Sequence, residues 1–140
     1  MKELKAYEHK AQYYETDQMG IVHHSNYLRW FEEARVDLME QAGLPYKGLE
    51  EEGIISAVVE ANLKYHSMVQ FSDTVIITAK LSKYNSTAMK VQYEIKDKKS
   101  GELRCTGETR HCFLGKDNKL VSLKKTNPVY DNLFKELSLI

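Results

Sequence analysis

Two cysteines are all that this 140-residue chain carries. Cys105 and Cys112 fall in one strand-like segment, seven residues apart, so their side chains point to opposite faces. At ~3.3 Å per residue they stand roughly 23 Å apart, far beyond disulfide reach. No CxxC or HxxxH spacing suggests a metal site, and none is expected. Net charge is missing too: twenty Lys and Arg cancel twenty Asp and Glu, and neither sign forms a long block. That excludes the basic footprint of a nucleic-acid binder. No apolar run is long enough to span a bilayer. The start, Met1-Lys2-Glu3-Leu4-Lys5, lacks the apolar stretch of a signal peptide, so the expected location is cytoplasmic. There is no internal repeat, no low-complexity tract and no GxxxxGK phosphate loop. No alternation of strands with helices favours a doubly wound nucleotide-binding fold.

What is present suffices for one domain over residues 1–140, large enough to bury a core without staples. Leu4 to Tyr14 reads as a first strand with Tyr7, His9, Ala11 and Tyr13 on one face. Glu15 to His24 is a loop, and Ser25 is a good N-cap. From Asn26 to Ala42 the apolar residues Tyr27, Leu28, Phe31, Ala34, Leu38, Met39 and Ala42 follow a helical period, with Gly43 and Pro45 just beyond as stop signals. The period then changes to two in Ile55–Tyr65, Val75–Leu81 and Met89–Ile95. Asp97–Gly101 has hairpin composition, Leu103–Leu114 is a further strand, and Asn127-Pro128 opens a C-terminal helix through Leu137. One strand, one long helix and four strands, the last three meandering, must pack as two layers in the α+β class.

The densest chemistry lies in Tyr13-Tyr14-Glu15-Thr16-Asp17-Gln18-Met19-Gly20-Ile21-Val22-His23-His24-Ser25-Asn26-Tyr27, which runs straight into the long helix. Free N–H groups at a helix start attract negative charge. A carboxylate beside them makes sense chiefly as chemistry on a carbonyl. This string, continued through Arg29, Phe31, Glu33, Ala34 and Arg35, resembles the hotdog fold, and most closely the 4-hydroxybenzoyl-CoA thioesterase group with its short-chain acyl-CoA thioesterase relatives. Weaker likeness continues at Lys64-Tyr65, Phe71, Asp73 and the Gly107-to-Phe113 strand. The resemblance implies an antiparallel sheet wrapped around one long central helix, and dimers that join two sheets edge to edge and often pair into homotetramers. It implies hydrolysis of acyl-CoA (or acyl carrier protein) thioesters with no metal or redox cofactor, at a site by the N-terminal end of the central helix. By position it makes Asp17 the catalytic carboxylate, with His24 and Tyr13 accompanying it. The chain departs from the family at Met68-Val69-Gln70, where many relatives carry Pro-Ala-Arg, and at Ser72, where many carry Asp.

In such a site the N–H groups of about His24 to Tyr27 would hold the carbonyl oxygen. Asp17 would attack directly or act as general base on water; the residues alone leave both open. Gly20, Ser25 and Tyr27 belong with the substrate: Gly20 lets the loop turn tightly, and the other two stand at the helix start. Tyr27, Phe31 and Leu38 also fit helix-to-sheet packing, and Arg35 beside Glu32 and Glu33 fits a solvated ion pair. His23 reads as a bystander. Lys64, Lys80, Lys83, Lys90, Arg104 and Arg110 are available to coenzyme A phosphates, with no spacing that singles out a subset. The alternative is a non-catalytic hotdog module that binds or senses acyl-CoA. A hotdog dehydratase would need an acid and a histidine placed deeper along the helix.

Overall fold

The computed structural model describes residues 3–140; Met1 and Lys2 of the polar start lie outside them. In chain order the elements are β1 (Tyr7–Lys10), α1 (Ser25–Gln41), α2 (Tyr46–Glu51), β2 (Ile55–Tyr65), β3 (Thr74–Tyr84), β4 (Ala88–Asp97), β5 (Leu103–Leu114), α3 (Leu123–Thr126) and α4 (Pro128–Ser138). The strands form one antiparallel sheet in the order β1-β3-β4-β5-β2. The expected β3-β4-β5 meander is present, and β2 closes the far edge against β5. The long helix α1 packs on one face of this sheet, which is the α+β hotdog arrangement.

The helical period of α1 translates into burial. Tyr27, Phe31, Ala34, Leu38 and Met39 face the sheet together with Trp30. The helix stops as its residues dictate: Gly43 adopts φ +80°, and the amides of Leu44 and Gly43 reach back to the carbonyls of Met39 and Glu40. Phe31 lies flat on Tyr93 with ring centroids 4.2 Å apart. It can do so because β5 carries Gly107 beneath it, where a Cβ would meet the Phe31 ring at 2.6 Å. Burying such an aromatic contributes about 1.5–3 kcal/mol. At the other end α4 sets Phe134 against Tyr84 and Phe113. Its buried Asp131 accepts hydrogen bonds from the hydroxyls of Tyr84 and Ser86 at 2.7 and 2.6 Å.

Three expectations are corrected. The first strand ends at Lys10 rather than Tyr14, because Tyr13–Glu15 closes into a single 3-10 turn. The Glu15 carboxylate accepts the Gln12 amide at 2.8 Å, which curls the chain out of the sheet, and Tyr13 is left 76% exposed instead of sharing a strand face with Tyr7. The alternation of β2 does not become alternating burial: Ile55, Val58, Val59 and Tyr65 are all exposed. This strand is an edge, and a bulge between Val58 and Glu60 shifts its phase. Arg35 is no solvated ion pair. It is buried, its Nε donating to the Tyr46 hydroxyl at 3.2 Å and Nη1 to the Tyr93 hydroxyl at 2.9 Å. Tyr93 and Thr109 share a hydroxyl contact of 2.7 Å, and Thr109 meets Nε2 of the fully buried His111, also at 2.7 Å. The short helices α2 and α3, which no apolar period announced, complete the connections.

Candidate active site

The loop between β1 and α1 is built around one buried acid. Glu15 accepts the Trp30 indole N–H at 2.7 Å and the Gln12 amide at 2.8 Å, and pairs with His9 Nε2 at 2.8 Å. Burial alone would raise its pKa. The bonds from His9, Gln12 and Trp30 outweigh that and hold it below the usual carboxylate value. Its backbone carbonyl takes the His23 amide and the Asn26 side chain, so one residue ties β1, the loop and the start of α1 together.

Two residues on, the chain makes a tight turn. The amide of Gly20 bonds to the carbonyl of Asp17 and the amide of Asp17 to the carbonyl of Ile21. Gly20 adopts φ +79°, which glycine takes without the steric penalty of a side chain. Asp17 Oδ1 accepts the Met19 amide at 2.8 Å, which fixes the carboxylate while leaving the residue exposed. The amide of Val22 then pairs with the carbonyl of Val69, and Ile21 bridges Gln70. The two loops are thereby locked side by side.

Between them opens a groove of about 310 Å³. Asp17, His24 and Tyr27 line it from the helix side; Tyr65, His66, Ser67 and Met68 line it from the end of β2 and the following loop. Of the six residues singled out in the sequence, the structure brings three together. Tyr13 turns away and meets Phe71 edge-on at 5.6 Å. Gly20 shapes the turn without lining the groove. Ser25 is not the N-cap: it sits inside the first turn, and its Oγ lies 2.9 Å from His23 Nδ1. That same His23 nitrogen accepts the Ser25 amide at 3.2 Å, so the expected bystander holds the first turn from outside it, while the N-cap position itself falls to His24, which makes no side-chain cap bond.

The capping decides which amides are free. Those of Asn26 and Tyr27 bond to the carbonyls of His23 and His24, and that of Ser25 is taken by the His23 ring. Among the described residues the His24 amide alone of these four has no acceptor. No hydrogen bond joins Asp17 to His24, whose ring stacks on His23 at 4.2 Å and meets Tyr65 edge-on at 6.4 Å. Tyr27 meets Tyr65 at 5.3 Å, and burial pushes both phenols above their ordinary pKa. Tyr65 to Met68 were missed as site residues because only the topology brings the end of β2 to the start of α1. The weaker family likeness at Lys64-Tyr65 and the unusual Met68-Val69-Gln70 segment were the signals nearest to them.

Of the six cations expected to be available, Arg104 is the one whose side chain hydrogen-bonds a groove residue. Its Nη1 donates to Ser67 Oγ at 3.1 Å, while Glu102 and Asp97 lie at 3.0 and 3.4 Å. Its Nε is buried without a partner. Among the described residues no His, Cys, Asp and Glu side chains cluster as metal ligands, and no helix is long and apolar enough to cross a membrane.

Comparison with known proteins places this geometry. A match to the thioesterase-like superfamily spans residues 12–133. YneP of Bacillus subtilis (strain 168), whose name carries a provisional acyl-CoA thioesterase assignment, is 31% identical over 128 residues, covering 91% of this chain and 92% of that protein. The crystal structure of a DHNA-CoA thioesterase from Staphylococcus aureus superposes with a TM-score of 0.91 at 32% identity, over 96% of this chain and 91% of that one. The hypothetical protein TT1821 from Thermus thermophilus gives a TM-score of 0.85, also at 32% identity, with 97% and 98% covered.

Proposed function

The chain belongs to the thioesterase-like superfamily, and from that premise we propose that it hydrolyses acyl-CoA thioesters to free acid and CoA with Asp17 as the reacting carboxylate. The observation that carries this reading is the groove lined by both Asp17 and His24, whose amide is the one of the helix start left without an acceptor. In this reading the amide receives the thioester oxygen as negative charge develops on it; a single such donor is typically worth ~3 kcal/mol of barrier. Asp17, held by the Met19 amide, attacks the carbonyl carbon or takes a proton from the attacking water. The His24 ring stands beside the departing thiolate. Tyr27 and Tyr65 form the apolar wall, and Tyr13, Gly20 and Ser25 act through the shape of the loop. The chemistry runs on side chains and backbone, with no metal or redox cofactor.

The narrower kinship with 4-hydroxybenzoyl-CoA thioesterases belongs to the same proposal, since the match reaches the superfamily. So does a second copy of the chain. The outer edge of β2 has no strand partner among the described residues and exposes Ile55, Val58, Val59 and Tyr65. A long open edge is a template for pairing. A homodimer through it, and a homotetramer of two such dimers, would complete the walls of the groove beside Tyr65. Reduced Cys105 and Cys112 fit a cytoplasmic enzyme.

The test is thiol release from a panel of aliphatic and aromatic acyl-CoAs (1,4-dihydroxy-2-naphthoyl-CoA among them) and from an acyl carrier protein thioester. Asp17→Asn is assayed beside the wild type. Full activity of that variant on every accepted thioester overturns the assignment of Asp17. Tight acyl-CoA binding with no thiol release from the wild type identifies a binding module instead.

A further inference from the structure

The groove wall formed by Tyr65 to Met68 is held at its two ends. It leaves the sheet where the β2–β5 ladder closes on the pair Tyr65–Cys105. Beyond Met68 the Val22 amide holds the Val69 carbonyl at 2.8 Å. Before Met68 the bonds converge on the start of β5. The amides of His66 and Ser67 both donate to the Arg104 carbonyl, at 2.9 and 3.2 Å. The Ser67 hydroxyl donates to the Leu103 carbonyl at 2.7 Å, and its oxygen accepts from Arg104 Nη1 at 3.1 Å. The main chain of Arg104 thus ties down the segment, and its side chain ties down the Ser67 hydroxyl.

The guanidinium is braced in turn. Its Nη1 also donates to the Glu102 carboxylate at 3.0 Å, and Nη2 lies 3.4 Å from Asp97 Oδ1. The other Asp97 oxygen accepts the Lys99 and Ser100 amides at 3.1 and 2.8 Å and the Ser100 hydroxyl at 3.1 Å, which closes the turn between β4 and β5. The Ser100 amide above all, with Arg104 beside it, holds the Asp97 carboxyl below its usual value. Hydrogen bonds that involve a charged group are stronger than neutral ones. One planar fork therefore joins the β4–β5 turn to the groove wall. The arrangement carries a cost: Arg104 Nε is buried without a partner, and an idle buried donor destabilises a fold. Such a group calls for an explanation. Here the fork is turned so that both terminal nitrogens reach acceptors, Ser67 among them.

We propose that Arg104 is a positioning residue for the reaction in the groove. Braced by Asp97 and Glu102, its guanidinium sets the place of Ser67 and Met68, and so how firmly an acyl thioester is held against that wall. This rests on the reading that the groove at Asp17 takes the thioester. Arg104 itself does not line the groove; it acts through Ser67.

The test is steady-state thiol release across the acyl-CoA panel, with octanoyl-CoA and benzoyl-CoA as its aliphatic and aromatic references. Arg104→Met keeps an unbranched side chain and removes the fork. It is expected to raise KM about tenfold, equivalent to ~1.4 kcal/mol, with kcat near the wild-type value, the pattern of lost binding rather than lost chemistry. Ser67→Ala is expected to raise KM by a similar factor. Adding it to Arg104→Met is expected to change little further, because the two side chains act as one unit. Arg104→Lys keeps the charge between Asp97 and Glu102 but puts a point charge in place of the fork. It is expected to fold as the wild type does and to recover only part of the affinity, and it decides the matter should Arg104→Met fail to fold by circular dichroism. Three results overturn the proposal: wild-type KM in Arg104→Lys, a lowered kcat at unchanged KM, or a double variant whose rise in KM is the product of the two single rises. Asp17→Asn tests the hydrolytic reading separately, since it is expected to act on kcat. Should the wild type release no thiol, that reading fails and the same variants are compared by calorimetric Kd for octanoyl-CoA and benzoyl-CoA. Equal Kd in wild type and variants, or no binding to the wild type, then overturns the role of Arg104.

Discussion

Glu15 and Asp17 are two carboxylates separated by one residue, and the fold treats them as different materials. Glu15 is 5% exposed and spends both oxygens on the indole, an amide and an imidazole. Asp17 is exposed, gives one oxygen to the Met19 amide, and faces a groove. Glu15 is fully committed to holding β1, the loop and α1 in register; Asp17 is oriented and uncommitted. A carboxylate becomes available for chemistry when a neighbouring one has already done the building.

The sharpest way to break this contrast is to neutralise each acid in turn. Asp17→Asn is expected to lower kcat/KM by about 10³-fold, in the range for a lost acid–base group, while chemical denaturation returns wild-type stability. A variant that loses stability in proportion to activity would erase the distinction.

Acid titration comes next in size, because it asks which buried group limits the fold. Burial, together with the nearby Arg35 charge, pushes His111 down to about 4. A histidine with a depressed folded pKa favours the folded state above its unfolded value of about 6.5, and that advantage is lost as pH falls toward 4; up to about 3 kcal/mol is at stake. Glu15, also depressed, loses its contribution only at lower pH, below the ordinary carboxylate value. Unfolding free energy measured from pH 8 to 3 is therefore expected to fall in two stages, with His111→Gln flattening the upper one. A single transition confined to pH below 4.5 would remove His111 from this account.

Glu15→Gln keeps the shape and removes the charge. It is expected to cost about 2 kcal/mol of stability, the scale of hydrogen bonds to a charged group, with activity recovered per folded molecule at low temperature. His23→Ala, the smallest effect, is expected to cost about 1 kcal/mol as a lost hydrogen bond to the Ser25 amide. It would also alter activity by a few fold, since the Ser25 amide is released and begins to compete with that of His24.

The same contrast separates what the chain makes legible from what it hides. The period of α1, its glycine stop and the β3-β4-β5 meander follow from spacing, because burial on one face imprints itself on sequence. The early end of β1 does not, since one buried carboxylate capturing the Gln12 amide overrides an alternating pattern that ran on to Tyr14. The alternation of β2 was read correctly as strand but gave no sign that the strand was an exposed edge. Asp17, His24 and Tyr27 were legible as a group because they are neighbours along the chain. Tyr65, His66, Ser67 and Met68 were not, because they reach the groove only through the placement of β2. Arg35 misled for a related reason: a helix period identifies a face, and hydroxyls from α2 and β4 supplied that face with polar partners no local pattern foretold.

Gly107 has a consequence beyond packing. With no side chain there, Phe31 rests on the sheet and sets how high the whole of α1 rides above it, the groove end included. Tyr27 and Tyr65, in edge-on contact at 5.3 Å, inherit that height. The spacing of helix and sheet at that end is thus set by a hydrogen atom on β5, at a residue that does not line the groove.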